Sequence, residues 1–249
     1  MTLTPQVLTS MSTLLISDLH LSPERPAVTE AFLDFLKNQA AEASALYILG
    51  DLFEAWVGDD DPAPLSRKVI SALKELTNNG ISLYVMQGNR DFLLDKLFAR
   101  ETGCTLLPDY YVTELENHKI LLLHGDTLCI GDKQYQKFRR KARHPIFRWC
   151  LNHLPLKTRQ NIATSWRSKS MKVNSNKSDN IMDVTTSEVE KQMAKYQVKV
   201  MIHGHTHRPN RHNHNNGERL VLGDWHHNGW YIRVTEKTEP ELISFPICD

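Results

Sequence analysis

The sequence predicts an α/β fold built from layers of sheet and helix. Short apolar runs at Thr13–Ile16, Leu46–Leu49 and Ile81–Met86 have strand length. The stretches between them carry apolar residues at helical spacing, and strands that alternate with helices argue for α/β layers. Five such runs also end in Asp, Asn or His. At 249 residues the chain fits one large domain, or one domain with an insertion, and can bury a sizeable core.

Thr13–Ile16 is partly β-branched and too short for a helix; it delivers Asp18 and His20 two positions apart, on one face if the strand geometry continues. Pro26–Ala43 carries Val28, Phe32, Phe35, Leu36 and Ala40 at helical spacing. The strand Leu46–Leu49 then runs into Gly50-Asp51. Leu65–Leu76 reads as a helix stopped by Asn78-Asn79-Gly80, and Ile81–Met86 as a strand ending in Gly88-Asn89-Arg90-Asp91. Phe92–Arg100 is predicted helical. Tyr110–Glu114 and Lys119–Leu123 suggest a hairpin leading to His124-Gly125-Asp126. Asp183 or Thr185 is placed to cap a helix reaching Tyr196. Val198–Ile202 precedes His203-Gly204-His205-Thr206-His207, and Leu220–Leu222, Trp230–Val234 and Leu242–Phe245 close the chain as strands.

The net charge of +1 conceals a division. Lys133 to Lys177 holds thirteen Lys or Arg and no Asp or Glu, which leaves seventeen basic and twenty-nine acidic residues elsewhere, a net of −12. Within this segment Tyr135, Phe138 and Ala142, then Ile146, Trp149, Cys150 and Leu154, have helical spacing, and Pro145 and Pro155 divide it. Apolar Phe138, Ile146, Phe147, Trp149, Leu151 and Leu154 alternate with Arg139, Arg140, Arg143 and Arg148. That suits a helical cap with a greasy surface and a cationic rim, able to meet an anionic membrane interface or acyl chains. The plainer reading is a helical pair with a solvated basic face. The expected organisation is a core of residues 12–132 and 178–249, an inserted basic cap at 133–177, and an N-terminal extension at 1–11. Four cysteines without a Cys-x-x-Cys pair read as reduced thiols. Neither a signal peptide nor a run of ~20 apolar residues is expected.

Asp18, His20, Asp51, Asn89, His124, His205 and His207 thus gather at strand ends, where ligand sites of α/β sheets collect. Taken singly each motif has a bland explanation, since Gly-Asp and Gly-Asn are common turns. Together they are seven N and O donors without a thiolate, too many for one structural zinc. They suit two ions of the Mn, Fe or Zn type sharing a carboxylate, ~3.5–4 Å apart.

Asp18-x-His20, Gly50-Asp51, Gly88-Asn89, His124-Gly125-Asp126 and Gly204-His205-Thr206-His207 resemble the calcineurin-type metallophosphoesterase signature, complete and in order. The resemblance implies a four-layer αββα sandwich. It also implies that Asp18, His20, Asp51 and His207 hold one divalent ion, and Asp51, Asn89, His124 and His205 the other. Many members of that family carry histidine after the Gly-Asn, whereas this chain has Arg90. Arginine stays cationic and presents a fork of donors, so it can neutralise phosphate but not shuttle a proton. A salt bridge from Arg90 to Asp91 is the alternative.

The Gly-Asn-Arg-Asp form, the run Gly50–Trp56 with Gly58-Asp59-Asp60-Asp61, and the basic insertion resemble more narrowly the pyrophosphohydrolases of lipid A biosynthesis in Gram-negative bacteria. That narrower resemblance implies two Mn2+ ions, with UDP-2,3-diacylglucosamine as substrate and water attacking the α-phosphorus. Asn89, Arg90 and His205 would then be catalytic. Asn89, Arg90, Asp132, Ser170, Asn174, Lys177 and His205 would contact the substrate. It further implies a peripheral protein at the cytoplasmic face of the inner membrane. A monomer without a nucleic-acid partner is expected. The competing readings are another dinuclear metallophosphoesterase (a protein phosphatase or a nuclease) and a non-catalytic binding scaffold on the same fold. Glu54, Trp56 and His203 are candidates to support the ligands. Asp59–Asp61 and His212 with His214 read as exposed turns, and nothing in the spacing assigns His226-His227 to the site.

Overall fold

The computed structural model describes residues 12–174 and 183–248. Two sheets face each other. The first has strand order β11-β10-β1-β2-β3-β4, the second β5-β6-β7-β9-β8. In the first sheet β1 (Ser12–Ile16), β2 (Ala45–Ile48), β3 (Ser82–Met86) and β4 (Thr105–Leu107) run parallel, while β10 (Asn228–Thr235) pairs antiparallel with β1 and β11 (Glu241–Pro246) antiparallel with β10. In the second, β6 (His118–Leu122), β7 (Val200–His203) and β9 (Gly217–Val221) are parallel, flanked by antiparallel β5 (Tyr111–Leu115) and β8 (Asn210–His214).

Three apolar layers follow from this arrangement. Leu15, Leu49, Met86, Ile120, Leu122, Ile202, Leu222 and Ile232 fill the space between the sheets. On the outer face of the first sheet, α1 (Pro26–Asn38) and α2 (Pro64–Asn78) bury Phe32, Phe35, Val69 and Leu73, each helix started by proline in its first turn. On the outer face of the second sheet, the last helix, α7 (Thr186–Tyr196), packs through Val189 and Met193. The order of layers is therefore αββα, as expected.

Several boundaries differ from the sequence reading. The helix expected over Phe92–Arg100 is α3 (Lys96–Thr102), because Asp95 caps it by accepting from Lys96 N and Phe92–Leu94 turn beneath Asp91. Gly103 ends α3 in the left-handed region at φ 76°. The hairpin has the two-residue loop Glu116-Asn117, both with positive φ. His212 and His214 do not lie in a turn. They sit on edge strand β8, which has no apolar alternation to reveal it. Thr185 stands at the cap of α7 without a side-chain capping bond, whereas Asp183 pairs with Arg208. Asp59 is no exposed turn, since it accepts from Trp56 Nε1 and from the backbone of Asp95 and Phe98.

The basic segment forms α4 (Lys133–Ala142), α5 (Pro145–Asn152) and α6 (Leu156–Asn174). Its arginines do not all form a rim. Arg139 donates to Asp126 at 2.6 Å and to Asp109 at 2.8 Å. Arg143 binds the carbonyls of Gln87 and Gly88, and Arg159 those of Val57 and the Asp60 carboxylate. Partly buried charge-assisted bonds thus join these helices to the loops of the core, beside their apolar packing.

Burial opposes ionisation of Asp126, but Arg139, then His124, outweigh it and hold the carboxyl well below the usual range. Arg139→Met should therefore lower stability by about 3–5 kcal/mol, the scale for orphaning one member of a buried pair. A group with a depressed folded pKa contributes stability above its unfolded value of ~3.9, lost as pH falls through the folded value. Urea unfolding should accordingly show the gap between wild type and variant at pH 7 and its narrowing on acidification. A gap independent of pH would contradict this account.

Candidate metal centre

The site lies where the two sheets meet. The loops after β1, β2 and β3 bring Asp18, His20, Asp51 and Asn89, and those after β6 and β7 bring His124, His205 and His207. Strand geometry does not carry Asp18 and His20 onto one face as expected, because β1 ends at Ile16. Instead the backbone turns left-handed at the donors themselves: φ is 56° at Asp18, 49° at His20, 51° at Asp51, 68° at His205 and 55° at His207. Such conformations cost about 1–3 kcal/mol each for residues with a Cβ, and persist only where the surroundings enforce them.

Those surroundings are visible. Asp18 N donates to Gly50 O, His20 N to Asp51 O and Leu21 N to Leu52 O, so the loops after β1 and β2 run side by side. Gly88 has no room for a side chain, since a Cβ there would collide with the Asp51 carboxylate and its backbone N. Asp91, fully buried, accepts from Gly88 N at 2.7 Å, Leu52 N at 2.8 Å and Asp51 N at 3.3 Å. Sequence reasoning gave Asp91 only the role of partner to Arg90. Arg90 instead faces Glu54, 3.8 Å away.

The donor atoms converge. His207 Nε2 is 3.4 Å from Asp18 Oδ1 and 3.2 Å from His20 Nε2, while Asp51 Oδ2 is 3.7 Å from both His20 Nε2 and His124 Nε2. Asn89 Oδ1 lies 3.0 Å from His124 Nε2, and the rings of His124 and His205 meet edge to face at 5.0 Å. Donors each ~2.1 Å from one ion stand roughly 3–3.5 Å apart, so the spacing suits shared cations. Among the described residues, Asp18, His20 and His207 form one group able to hold an ion, and Asp18, Asp51 and His124 another. Asp18 thus reaches toward both groups, which the sequence had not suggested.

The electrostatics ask for positive charge. Asp18 Oδ1 is buried without a hydrogen-bond donor. Burial disfavours charge on Asp18, but His207 overcomes it and holds the carboxyl well below its usual range; in turn burial is outweighed at His207, which Asp18 raises to about 9. Burial, reinforced by His124, pushes His205 down to about 4, leaving a neutral imidazole with a lone pair. His124 Nδ1 is tied to Leu49 O at 2.9 Å, and His20 Nδ1 lies 2.9 Å from Glu54, so in both rings Nε2 is the atom turned to the cluster. The residues fit a pair of divalent cations.

Of the other expected residues, Asp132 caps α4 by accepting from Tyr135 N and lines the site cavity with Ser170. Asn174 closes α6, and Lys177, like residues 1–11, lies outside the described residues. His203 is fully buried beneath the loop, between Gly204 O and Arg219. His226 and His227 face each other on the exposed surface. Asp224, 3.7 Å from His207 Nδ1, was missed, although Gly223-Asp224 after an apolar strand repeats the signal read at Gly50-Asp51.

Two cavities adjoin here. A polar one of about 250 Å³ is lined by His20, Asp51, His205, His207 and Arg208; an apolar one of about 380 Å³ is lined by Trp56, Phe92, Phe138, Leu151, Ile162 and Trp166. Asn89, Arg90, Tyr135 and Ser170 border both.

Residues 11–209 match the calcineurin-like phosphoesterases, and the chain belongs to that family of hydrolases, which use divalent metals. It is 50% identical over 240 residues to the UDP-2,3-diacylglucosamine hydrolases of Yersinia pseudotuberculosis serotype O:1b and Serratia proteamaculans, covering 95% of this chain and 100% of each relative. Among solved structures, an archaeal phosphodiesterase shares the fold with a TM-score of 0.50 and 14% identity, over 94% of this chain and 100% of that one.

Removing Asp91 leaves three N–H groups without their acceptor and frees the loops that carry Asp51 and Asn89. Asp91→Ala should cost at least about 1–3 kcal/mol in urea unfolding and weaken divalent-ion binding by calorimetry. Unchanged stability together with unchanged ion binding would remove Asp91 from this role.

Proposed function

We propose that the chain hydrolyses the pyrophosphate of UDP-2,3-diacylglucosamine, giving UMP and 2,3-diacylglucosamine 1-phosphate for lipid A biosynthesis. The observation that carries this reading is the junction of the two cavities: a polar chamber for phosphates opens beside an apolar one suited to acyl chains, with Arg90 between them. The names of the 50% identical relatives point the same way.

In this reading Asp18, His20, Asp51 and His207 hold one Mn2+, and Asp51, Asn89, His124 and His205 the other. The equal 3.7 Å separations of Asp51 Oδ2 from His20 and His124 support Asp51 as the bridge. Such ions lower the pKa of bound water towards ~7 and neutralise phosphoryl oxygens. The protein supplies the rest. Arg90, whose Nε is buried without a hydrogen-bond acceptor, offers its fork to the phosphate. Asn89 and neutral His205 orient the reacting α-phosphate, and Asp132, Ser170, Asn174 and Lys177 hold the glucosamine phosphate.

Residues 133–177 act as a cap on a core of residues 12–132 and 178–249. The cap rests on an anionic leaflet at the cytoplasmic face of the inner membrane. Ile146 is 67% and Trp149 62% exposed on α5, with Lys137, Arg140 and Lys141 exposed on α4. Among the described residues no helix is long and apolar enough to cross a membrane, and attachment is therefore peripheral in this reading. Each basic residue near an anionic surface contributes ~1 kcal/mol.

Incubation of the protein with UDP-2,3-diacylglucosamine and Mn2+ in ¹⁸O water tests the reaction. Label is expected in UMP; label in the lipid product would overturn attack at the α-phosphorus, and no turnover would overturn the substrate. Arg90→Ala should lose roughly 10²–10³ in kcat, with only partial recovery in Arg90→Lys, where the fork is missing. The double variant Ile146→Ser, Trp149→Ser should lose binding to vesicles containing anionic phospholipid while keeping its Tm. Vesicle binding equal to wild type would show that α5 does not meet the membrane.

A further inference from the structure

Glu54 is a single carboxylate facing two ways. Its Oε2 lies 2.9 Å from His20 Nδ1, while its Oε1 lies 3.1 Å from Arg167 Nε on α6 and 3.8 Å from Arg90 Nη1. Backbone bonds hold it there, independently of its side chain: Leu21 N donates to Leu52 O and Glu54 N to Leu21 O, and Leu21 bridges Phe53. The side chain is only 16% exposed, so its charge needs matching, and the groups that match it come from three separate parts of the fold.

We propose that Glu54 is a positioning residue that aims His20 at the ion and, through Arg90 and Arg167, sets helix α6 in register with the site. A proton kept on Nδ1 by the Glu54 carboxylate 2.9 Å away leaves the lone pair of His20 on Nε2, the atom that faces Asp18, Asp51 and His207. The second oxygen draws two guanidiniums together. Arg90 borders the polar cavity, and Arg167 belongs to the wall of the apolar one. Whatever fills the apolar cavity and whatever His20 holds are thereby joined through one side chain. The half of this inference that concerns the lipid rests on the substrate proposed above; the half that concerns the ion does not.

The test uses the full chain and the variants Glu54→Ala, Glu54→Gln and Arg167→Ala. Each is titrated with Mn2+, the free ion being followed by its paramagnetic resonance signal, and assayed on UDP-2,3-diacylglucosamine and on a small chromogenic phosphodiester. Glu54→Ala should weaken Mn2+ binding about 10–100-fold, the usual scale for losing a carboxylate behind a ligating imidazole. Glutamine can accept from His20 with its one oxygen but then turns an NH2 towards the arginines. Glu54→Gln should therefore keep most of the Mn2+ affinity and raise KM for the diacylated substrate. Arg167→Ala should leave Mn2+ affinity unchanged and raise KM for the diacylated substrate but not for the small diester.

Wild-type Mn2+ affinity in Glu54→Ala would overturn the proposal, as would an equal loss of affinity in Arg167→Ala, which would indicate general loosening. If Glu54→Ala does not fold, the other two variants decide, and an unchanged KM for the diacylated substrate in both overturns it. A wild-type protein that binds Mn2+ yet leaves the diacylated substrate intact would refute the substrate reading while the ion half still stands.

Discussion

Two carboxylates, those of Asp18 and Asp51, are buried where the sheets meet, and finding partners for their oxygens there governs everything around them. An isolated carboxylate in such a place would be costly enough to drive its own protonation. At Asp18 only one oxygen is served by donors, from Ser17 Oγ and His205 N; the other has none. Asp51 is served by Arg90 N on one oxygen and faces imidazoles with the other. At each carboxylate, then, one oxygen is served by N–H or O–H donors and the other is left directed at a shared point. His207 answers part of this charge from 3.4 Å, and what is left over favours cations at the site.

Much of this was legible because the residues stand at strand ends and strands announce themselves through apolar runs. The left-handed backbone at Asp18, His20, Asp51, His205 and His207 was not. Sequence parity placed Asp18 and His20 together for the wrong reason, since the pleat stops two residues before Asp18. Asp91 was equally invisible, because its partners are amide N–H groups that no side-chain pattern reports. Edge strand β8 escaped because strands at an edge need no buried face, and its polar sequence Asn210–His214 reads as a loop.

The basic segment shows how composition can mislead about direction. A run of cations without acids suggests a surface that meets anions, yet Arg139, Arg143 and Arg159 turn inward to Asp126, Gly88 and Asp60. The missing acids are supplied by loops of the core, Asp60 after β2, Asp109 after β4 and Asp126 after β6. The acidic body and basic helices complement one another, and among the described residues the outward cations of α4, Lys157 of α6 and the apolar tips of α5 face outside. The apolar cavity results from the same construction, since it is walled on one side by the loops after β2 and β3 and on the other by α4, α5 and α6.

Strand β1 lies between β10 and β2, with Leu14 opposite Arg233, so the strand that leads to Asp18 finds its second neighbour only near the C-terminus. A chain emerging from the ribosome exposes that apolar strand with one bare edge through most of its synthesis, a state open to wrong pairing. The donors in the loops after β1, β2 and β3 also wait for those in the loops after β6 and β7. The group of Asp18, Asp51 and His124 is thus complete in sequence long before the group that needs His207. A truncation after His207 would retain all seven proposed ligands and still leave β1 half-paired.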